Sequence, residues 1–110
     1  LSPEGSVAAY SLGDPALLAR VTDEVMDWLR GLGLLAGRPR VLDLGCGIGR
    51  FLAALAGDAA FVVGVEVSEA MARTARMRVP GAMVVRGSGR DLAMLRDAAF
   101  DLVLAVDVFP

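Results

Sequence analysis

An apolar strand that runs straight into a glycine-rich turn restricts the fold of this chain more than any other feature. Residues 41–44 read Val-Leu-Asp-Leu, and residues 45–49 read Gly-Cys-Gly-Ile-Gly. A short, nearly continuous apolar run predicts a strand buried in a parallel sheet. Glycines at alternate positions remove the Cβ atoms where a ligand must touch the backbone. In an open parallel sheet, ligands bind beyond the carboxyl ends of the strands, which is where this turn is expected.

The segment before this strand predicts an amphipathic helix. Asp14 can accept from free N–H groups at the start of a helix, and Pro15 suits the first helical position. Apolar residues then recur at three- and four-residue steps, at Leu18, Val21, Val25, Trp28, Leu29 and Leu32. This spacing predicts one buried face, in which we expect Trp28 to pack. The methionines other than Met71 are expected to fill the core.

Strands and helices then alternate to the end of the chain. Apolar runs predict further strands over residues 61–66, 82–86 and 100–106. Helices are predicted over residues 50–56 and 69–78, the second of them capped by Ser68. Apolar strands joined by crossovers of more than about a dozen residues indicate a parallel sheet. We therefore predict an α/β fold, an open, doubly wound parallel sheet of four strands with helices on both faces.

The fourth predicted strand bears on how much of a domain is present. As the last strand of a sheet it would leave a long apolar edge, which natural proteins avoid. We therefore expect an incomplete domain, with further strands outside this sequence or supplied by another chain. Residues 1–36 are assigned to an N-terminal lead-in and the amphipathic helix, and residues 37–110 to the ligand-binding α/β domain, truncated after its fourth strand.

Composition excludes several classes of function. The 11 cationic residues are scattered arginines, so no basic stripe for a nucleic acid is visible. No run of about 18 apolar residues predicts a membrane span. Without histidine, a histidine-based metal site is impossible, and we predict no metal. Cys46 is the only cysteine, which excludes an internal disulfide and favours the cytoplasm. Nothing in the sequence indicates an oligomeric state.

Two carboxylates frame the glycine turn. Asp43 lies just before it, and Glu66 ends the next predicted strand, 23 residues further along the chain. A carboxylate at the second position can accept both hydroxyls of a ribose, so the spacing predicts a nucleoside ligand. Purely structural roles stay open for both residues. Asp43 could accept hydrogen bonds from N–H groups of the turn, and Glu66 could stabilise the chain where it enters the helix at Ser68.

The charge of the ligand separates two nucleoside classes. A dinucleotide turn needs Gly-x-Gly-x-x-Gly, but the third position falls on Arg50 or on Leu52, depending on which glycine starts the pattern. A pyrophosphate would also be repelled by Asp43. S-adenosylmethionine has no phosphate and carries a sulfonium and an ammonium group, which both carboxylates favour. A nicotinamide-dependent dehydrogenase stays open as the less favoured alternative.

Four ordered segments carry a family resemblance. Residues 41–52, 63–68, 84–92 and 100–103 resemble successive motifs of the class I S-adenosylmethionine-dependent methyltransferases. The resemblance covers the chain from about residue 40 onward. It implies a Rossmann-like fold, S-adenosylmethionine as cofactor, and transfer of a methyl group to an acceptor, which we expect to be a small molecule. A methyltransferase-like domain that only binds the cofactor, or serves as a partner surface, is the alternative.

The resemblance also implies roles for residues near the methionine and ribose parts of the cofactor. Backbone at Gly45 and Gly47 would line the methionine portion. Asp43 would orient its amino group, directly or through water, and Glu66 would bind the ribose hydroxyls. The complete predicted cofactor-binding set is Asp43, Gly45, Cys46, Gly47, Glu66, Val67, Met71, Ser88, Gly89, Arg90 and Val106.

The adenine end shows one departure from the family. The resemblance implies that Val67 and Met71 cover one face of the adenine, and that backbone at Gly89 and Arg90 meets its edge. The family often has an acid where this chain has Ser88. A serine hydroxyl accepts more weakly than a carboxylate and reaches less far, so its contact with the adenine amino group is the uncertain one.

No catalytic residue is assigned. Asp107 follows the fourth predicted strand, where a general base would stand, and it could equally cap a helix. The resemblance also implies that Leu92 could cover the second adenine face and that Tyr10 could belong to an N-terminal segment that folds over the cofactor, as in similar enzymes.

Overall fold

A four-stranded parallel sheet forms the centre of the molecule. The computed structural model describes residues 15–88 and 100–106. The elements in chain order are α1 (Pro15–Gly31), β1 (Arg40–Leu44), α2 (Arg50–Leu55), β2 (Phe61–Glu66), α3 (Glu69–Arg78), β3 (Met83–Arg86) and β4 (Leu102–Leu104). The strands lie in the order β3-β2-β1-β4, and every neighbouring pair is parallel. The predicted open α/β sheet of four strands is confirmed.

The register of the sheet brings the two predicted acidic residues to one edge. Asp43 of β1 pairs with Gly64 of β2 and, on the other side, with Leu104 of β4. Glu66 ends β2 and pairs with Arg86 of β3. The chain proceeds from β1 outward to β3 and then returns to the opposite side of β1, so the strand order reverses between β1 and β4. Ligands of open α/β sheets bind at such a switch point, beyond the carboxyl ends of the strands.

The helices build the main core on one side of the sheet. The three helices of the described ranges contribute buried side chains to one cluster, with Met26 and Leu29 from α1, Leu52 and Leu55 from α2, and Ala72 and Ala75 from α3. Leu42, Val63 and Val65 form a second cluster from the strands. The connection from β3 to β4 includes residues 89–99, which lie outside the described residues. No helix in the described ranges is both long and apolar enough to cross a membrane.

The buried face of α1 differs from the predicted one. Leu18 and Leu29 are buried as expected, but Trp28 is 64% exposed, so the prediction that it packs in the core is wrong. Thr22 and Met26 are buried in its place. Two adjacent faces of α1 both have helical spacing, and the inner stripe, which is the buried one, includes Thr22. A threonine can be buried there because its hydroxyl donates to the Leu18 carbonyl oxygen at 3.0 Å.

The methionines divide between core and surface. Met26 is 1% exposed and belongs to the core, as predicted. Met77 and Met83 are exposed, and the prediction that they fill the core is wrong. Met77 follows the buried Ala75 of α3 by two residues, which turns it to the outer face of the helix. Met83 begins β3, the strand at the edge of the sheet.

The fourth strand is shorter than its apolar pattern suggested. β4 pairs with β1 through three residues, Leu102 to Leu104, whereas the sequence predicted a strand over residues 100–106. Phe100 packs instead against Phe61, with ring centroids 6.1 Å apart in an edge-to-face arrangement. The apolar run therefore does not show where strand pairing ends, and of residues 100–106 only Leu104 is fully buried.

Candidate functional site

The glycine turn after β1 is fastened to the end of β2. The Val65 carbonyl oxygen accepts from the N–H groups of Gly45 at 2.7 Å and Cys46 at 3.1 Å. Gly47 has a φ of 58°, a left-handed conformation that favours glycine, and a Cβ built there would meet no atom within 4 Å. The turn therefore presents bare backbone to open space, which suits close approach of a ligand.

The Glu66 carboxylate joins two loops at the carboxyl edge of the sheet. Its Oε1 accepts from the Gly47 N–H at 2.9 Å, and its Oε2 accepts from the Ser68 N–H at 2.8 Å. The residue is only 2% exposed. The structural role near Ser68 that the sequence left open is thus present. Each carboxylate oxygen has two lone pairs, so both oxygens keep acceptor capacity for the hydroxyls of a ligand.

Asp43 is a buried carboxylate in an acidic neighbourhood. It is 3% exposed, and burial raises its pKa to about 7, with the nearby charge of Glu66 adding to the rise and that of Arg50 opposing it. In residues 15–88 and 100–106 no hydrogen bond to its side chain is formed, so the alternative role of holding the turn is not observed there. An acid in this position favours a cationic ligand.

The Cys46 side chain belongs to the core. Its Sγ lies on the sheet side of the turn, where a Cβ on Gly64 would come within 2.7 Å of it. Burial raises the pKa of the thiol to about 12, and the charges of Asp43 and Glu66 act in the same direction. A thiol of this kind is a poor nucleophile, because the thiolate is the reactive form. Only the backbone of Cys46 is placed to meet a ligand.

The loop after β3 meets the same edge. The Gly87 N–H donates to the Glu66 carbonyl oxygen at 3.0 Å, which brings the half-buried Ser88 beside the end of β2. Val106 is half-buried and lies just past β4, the neighbour of β1. The ends of all four strands thus contribute residues of the predicted set to one edge of the sheet.

The start of α3 follows the predicted pattern. Ser68 is the N-cap, and its Oγ accepts from the Met71 N–H at 3.3 Å, as expected from the sequence. Met71 is half-buried in the first turn of the helix, and Val67 is 65% exposed. Both side chains lie within five residues of Glu66, and Val67 is open to contact from outside.

Several predicted residues lie outside the described ranges. They are Gly89 and Arg90 of the cofactor-binding set, together with Tyr10, Leu92 and Asp107.

Arg50 is a residue near the site whose role the sequence did not reveal. It begins α2, directly after the glycine turn, and its Nη1 donates to the Leu18 carbonyl oxygen at 3.1 Å and to Thr22 Oγ1 at 3.0 Å. The sequence analysis used Arg50 only to exclude a dinucleotide motif. The signal that could have found it is Thr22, a polar residue on the inner stripe of α1.

A cavity of about 460 Å³ opens on the α1 side of the turn. Its lining includes Leu18, Thr22, Ile48 and Arg50, but none of the residues predicted to bind the cofactor. The cavity is therefore separate from the carboxylate edge described above. Within the part of the chain that the structure describes, no three cysteine, aspartate or glutamate side chains gather as metal ligands would.

Known families and structures give an independent comparison. Residues 42–110 match the family model described as a methyltransferase domain. No protein among those with curated descriptions matches the chain.

Three solved structures show the similarity in detail. An amino pentose methyltransferase from Micromonospora echinaspora, solved with S-adenosylmethionine bound, shares 31% identity over 83% of this chain and 39% of its own, with a TM-score of 0.64. The magnesium protoporphyrin IX methyltransferase from Synechocystis PCC 6803, with bound S-adenosylhomocysteine, shares 32% identity over 79% of this chain and 41% of its own, with a TM-score of 0.58. A sugar N-methyltransferase from Streptoalloteichus sp. ATCC 53650 shares 29% identity over 73% of this chain and 32% of its own, with a TM-score of 0.63. The chain spans about two fifths of their length or less.

Proposed function

The chain belongs to the class I S-adenosylmethionine-dependent methyltransferase family, and from this premise we propose that residues 37–110 are the cofactor-binding part of an enzyme that methylates a small molecule. S-adenosylmethionine is the cofactor of this family. The match to the family model begins at residue 42, at the strand that leads into the glycine turn.

The observation that carries the proposal is the Glu66 bridge beside the buried Asp43. Glu66 fixes the glycine turn and the start of α3 through hydrogen bonds of 2.9 and 2.8 Å. Neither Asp43 nor Glu66, the two carboxylates at this edge, forms an ion pair with a described residue. Such an edge repels a diphosphate and attracts a cation, as S-adenosylmethionine requires. The residues present therefore fit the cofactor.

We assign the methionine and ribose portions to the turn and its carboxylates. Asp43 would accept from the ammonium group, since its buried carboxylate has no hydrogen bond from the described residues. Bare backbone at Gly45 and Gly47 would lie along the methionine chain. Glu66 would accept from the ribose hydroxyls with its remaining lone pairs.

We assign the adenine to the ends of β2, β3 and β4. Val67 and Met71 would cover one face, and Ser88 would lie at the edge because the Gly87 N–H joins this loop to β2. The remaining residues proposed to contact the cofactor are Cys46, through its backbone, and Gly89, Arg90 and Val106.

The contribution of this chain to the reaction is binding and orientation. The cofactor supplies a methyl group already activated on a positively charged sulfur, so alignment with the acceptor atom dominates the rate. The fastened turn limits the positions that the methionine chain can take. A general base is needed only if the acceptor carries a proton at neutral pH, and we propose Asp107 for that place.

The acceptor is proposed to be a small molecule. Two of the similar structures are an amino pentose methyltransferase and a sugar N-methyltransferase, and a third acts on magnesium protoporphyrin IX. The scattered arginines give no basic stripe for a nucleic acid. We also propose a cytoplasmic location, which the single unpaired cysteine supports.

Calorimetric titration with S-adenosylmethionine and S-adenosylhomocysteine tests the proposal. Both should bind the full chain, and Glu66→Gln should weaken binding by about 1–3 kcal/mol, the usual cost of losing a charged hydrogen-bond partner. Glu24→Gln makes the same chemical change on the exposed side of α1 and should leave affinity unchanged.

Three outcomes would contradict parts of the proposal. Absence of binding to the unmodified chain would remove the cofactor assignment. Unchanged affinity in a folded Glu66→Gln variant would remove Glu66 from the site. Tight binding of NADH would favour the dehydrogenase alternative instead.

A further inference from the structure

The peptide group between Val67 and Ser68 is held at both of its polar ends. Its N–H, on Ser68, donates to Glu66 Oε2 at 2.8 Å. Its carbonyl oxygen, on Val67, accepts from Arg86 Nε at 3.4 Å. Because a peptide group is planar, the two bonds act on one rigid unit and together set its orientation. A side chain of β3 is therefore connected, through a single peptide group, to the Glu66 carboxylate.

Arg86 is itself tied to the start of α3. Its Nη1 lies 3.7 Å from Glu69 Oε2, and Nη1 of Arg76 lies 3.6 Å from the other oxygen of the same carboxylate. A guanidinium has planar donors in fixed directions, which lets Arg86 meet Glu69 through Nη1 and Val67 through Nε at once. All of these charged groups are open to solvent, and such pairs add little to stability. Their contribution is therefore expected in orientation.

The Glu66 carboxylate is where this connection acts. It is 2% exposed, with Oε1 on the Gly47 N–H and Oε2 on the Ser68 N–H. A cation on the Val67 carbonyl oxygen polarises the peptide group, which strengthens its N–H as a donor. The bond to Oε2 thus becomes stronger and more fixed in direction, and so do the lone pairs that Glu66 has left for a ligand.

We propose that Arg86 is a positioning residue for the ribose of the cofactor, which acts on Glu66 through the Val67–Ser68 peptide group. This inference rests on the proposed function, in which Glu66 binds the ribose hydroxyls. It adds that recognition of the ribose depends on a residue of β3 outside the proposed cofactor-binding set, which Glu69 ties to α3.

Calorimetric titration with S-adenosylhomocysteine tests the inference. Arg86→Gln removes the charge and the Nε donor, and it should weaken binding about twofold to tenfold, the range expected for one hydrogen bond. In a Glu66→Gln background the same substitution should add almost nothing, because residues that act through one another are not additive. The 2′-deoxy form of the ligand should lose less affinity than S-adenosylhomocysteine in Arg86→Gln, since it has one hydroxyl fewer to place.

Further variants separate this route from others. Arg76→Gln is the matched control, because it removes the other arginine that pairs with Glu69 but whose Nε donates elsewhere, and affinity should not change. Val67→Ala keeps the peptide group, so Arg86→Gln should have the same effect in that background as in the unmodified chain. Arg86→Lys keeps a charged donor and should recover part of the affinity.

The Ser68 amide gives a readout without cofactor. Its proton, on a short bond to a carboxylate, should resonate downfield in the unmodified chain. It should move upfield in Arg86→Gln and further in Glu66→Gln, and it should stay in place in Arg76→Gln. The free energy of unfolding should change little in Arg86→Gln, since the ion pair is exposed.

Each failure has its own meaning. An unmoved Ser68 resonance or an unchanged affinity in Arg86→Gln would overturn the inference. So would a weakening that persists undiminished in Glu66→Gln, because the effect would then be structural, or one that vanishes in Val67→Ala, because the Val67 side chain would then carry it. Failure of the unmodified chain to bind would instead refute the proposed function, and the Ser68 resonance would still test Arg86.

Discussion

Two aspartates lie at opposite ends of β1 in opposite environments, Asp101 just before the neighbouring β4 and Asp43 on β1 itself. At the amino end, Arg40 donates to Asp101 through its main-chain N–H at 2.9 Å and through Nε at 3.0 Å and Nη2 at 2.9 Å. These bonds lower the pKa of Asp101 to about 2. At the carboxyl end, Asp43 is buried near a second carboxylate, and its pKa is raised to about 7. The two ends of β1 therefore lie beside a satisfied exposed acid, just before β4, and a destabilised buried acid on β1 itself.

This difference separates a structural end of the strand from a functional one. The amino end joins β1 to β4 with every acceptor aimed at a donor, which serves stability. The carboxyl end holds negative charge without a direct cation partner among the described residues, which costs stability and prepares a site for a positive ligand. The contrast has two causes: burial, with the charge of Glu66, raises the pKa of Asp43, and the hydrogen bonds from Arg40 lower the pKa of Asp101.

Neutralising Asp43 should have the largest effect. Its pKa rises from an ordinary 3.8 to about 7, so the folded state binds a proton more tightly than the unfolded one. Stability of the unliganded chain should therefore fall as pH rises from about 4 to about 7 and level off above that, by up to about 4 kcal/mol in total. Asp43→Asn should be more stable than the unmodified chain at pH 8 and should bind S-adenosylmethionine more weakly. Urea unfolding at several pH values measures the first effect.

Between pH 5 and pH 7, the change of stability with pH should come mainly from Asp43. The chain has no histidine, and Asp101 stays ionised throughout that range because its pKa is lowered. The slope of stability against pH should therefore largely disappear in Asp43→Asn and persist in Asp101→Asn. A slope that survives in Asp43→Asn would show that another group causes it.

Crowding Gly64 should have the next largest effect, since it disturbs the carboxyl end without changing charge. Gly64 lies opposite Asp43, and a Cβ there would come within 2.7 Å of Cys46 Sγ and 2.8 Å of Leu52 Cδ1. Gly64→Ala should lower the free energy of unfolding by about 1–3 kcal/mol, the usual cost of overpacking a core. Adding Cys46→Ala should recover part of that loss. Gly57→Ala, where nothing lies within 4 Å, is the control, and equal losses at both glycines would refute the steric explanation.

The sequence predicted the strands better than the faces of the helices. β2 has the predicted bounds because its apolar run ends at Glu66, where the chain must turn. On α1, two adjacent faces fit the helical period, and the buried one includes Thr22, whose hydroxyl accepts from Arg50. That contact joins residues 28 positions apart, so no local pattern could reveal it.

The site shows the same division between local and distant information. The glycine turn and the acid after β2 were predictable, since the fold places consecutive strand ends side by side. The sequence could not show that Glu66 already accepts from two N–H groups, or that the Cys46 thiol faces Gly64. Both depend on how the turn closes onto β2, which is settled by packing.

Removing the charge at the amino end should have the smallest effect. Asp101→Asn keeps the shape of the side chain and one acceptor oxygen, and it loses the ion pair and the hydrogen bonding of the replaced oxygen, all of it open to solvent and therefore weak. We expect a small fall in the unfolding temperature at low salt, which should shrink at high salt and vanish below about pH 2, where the aspartate of the unmodified chain is also protonated. Affinity for S-adenosylmethionine should not change. A loss of affinity in Asp101→Asn, at a pH where Asp43 is ionised, would show that the two ends of β1 act as one unit and would overturn the separation of structure from function argued from their environments.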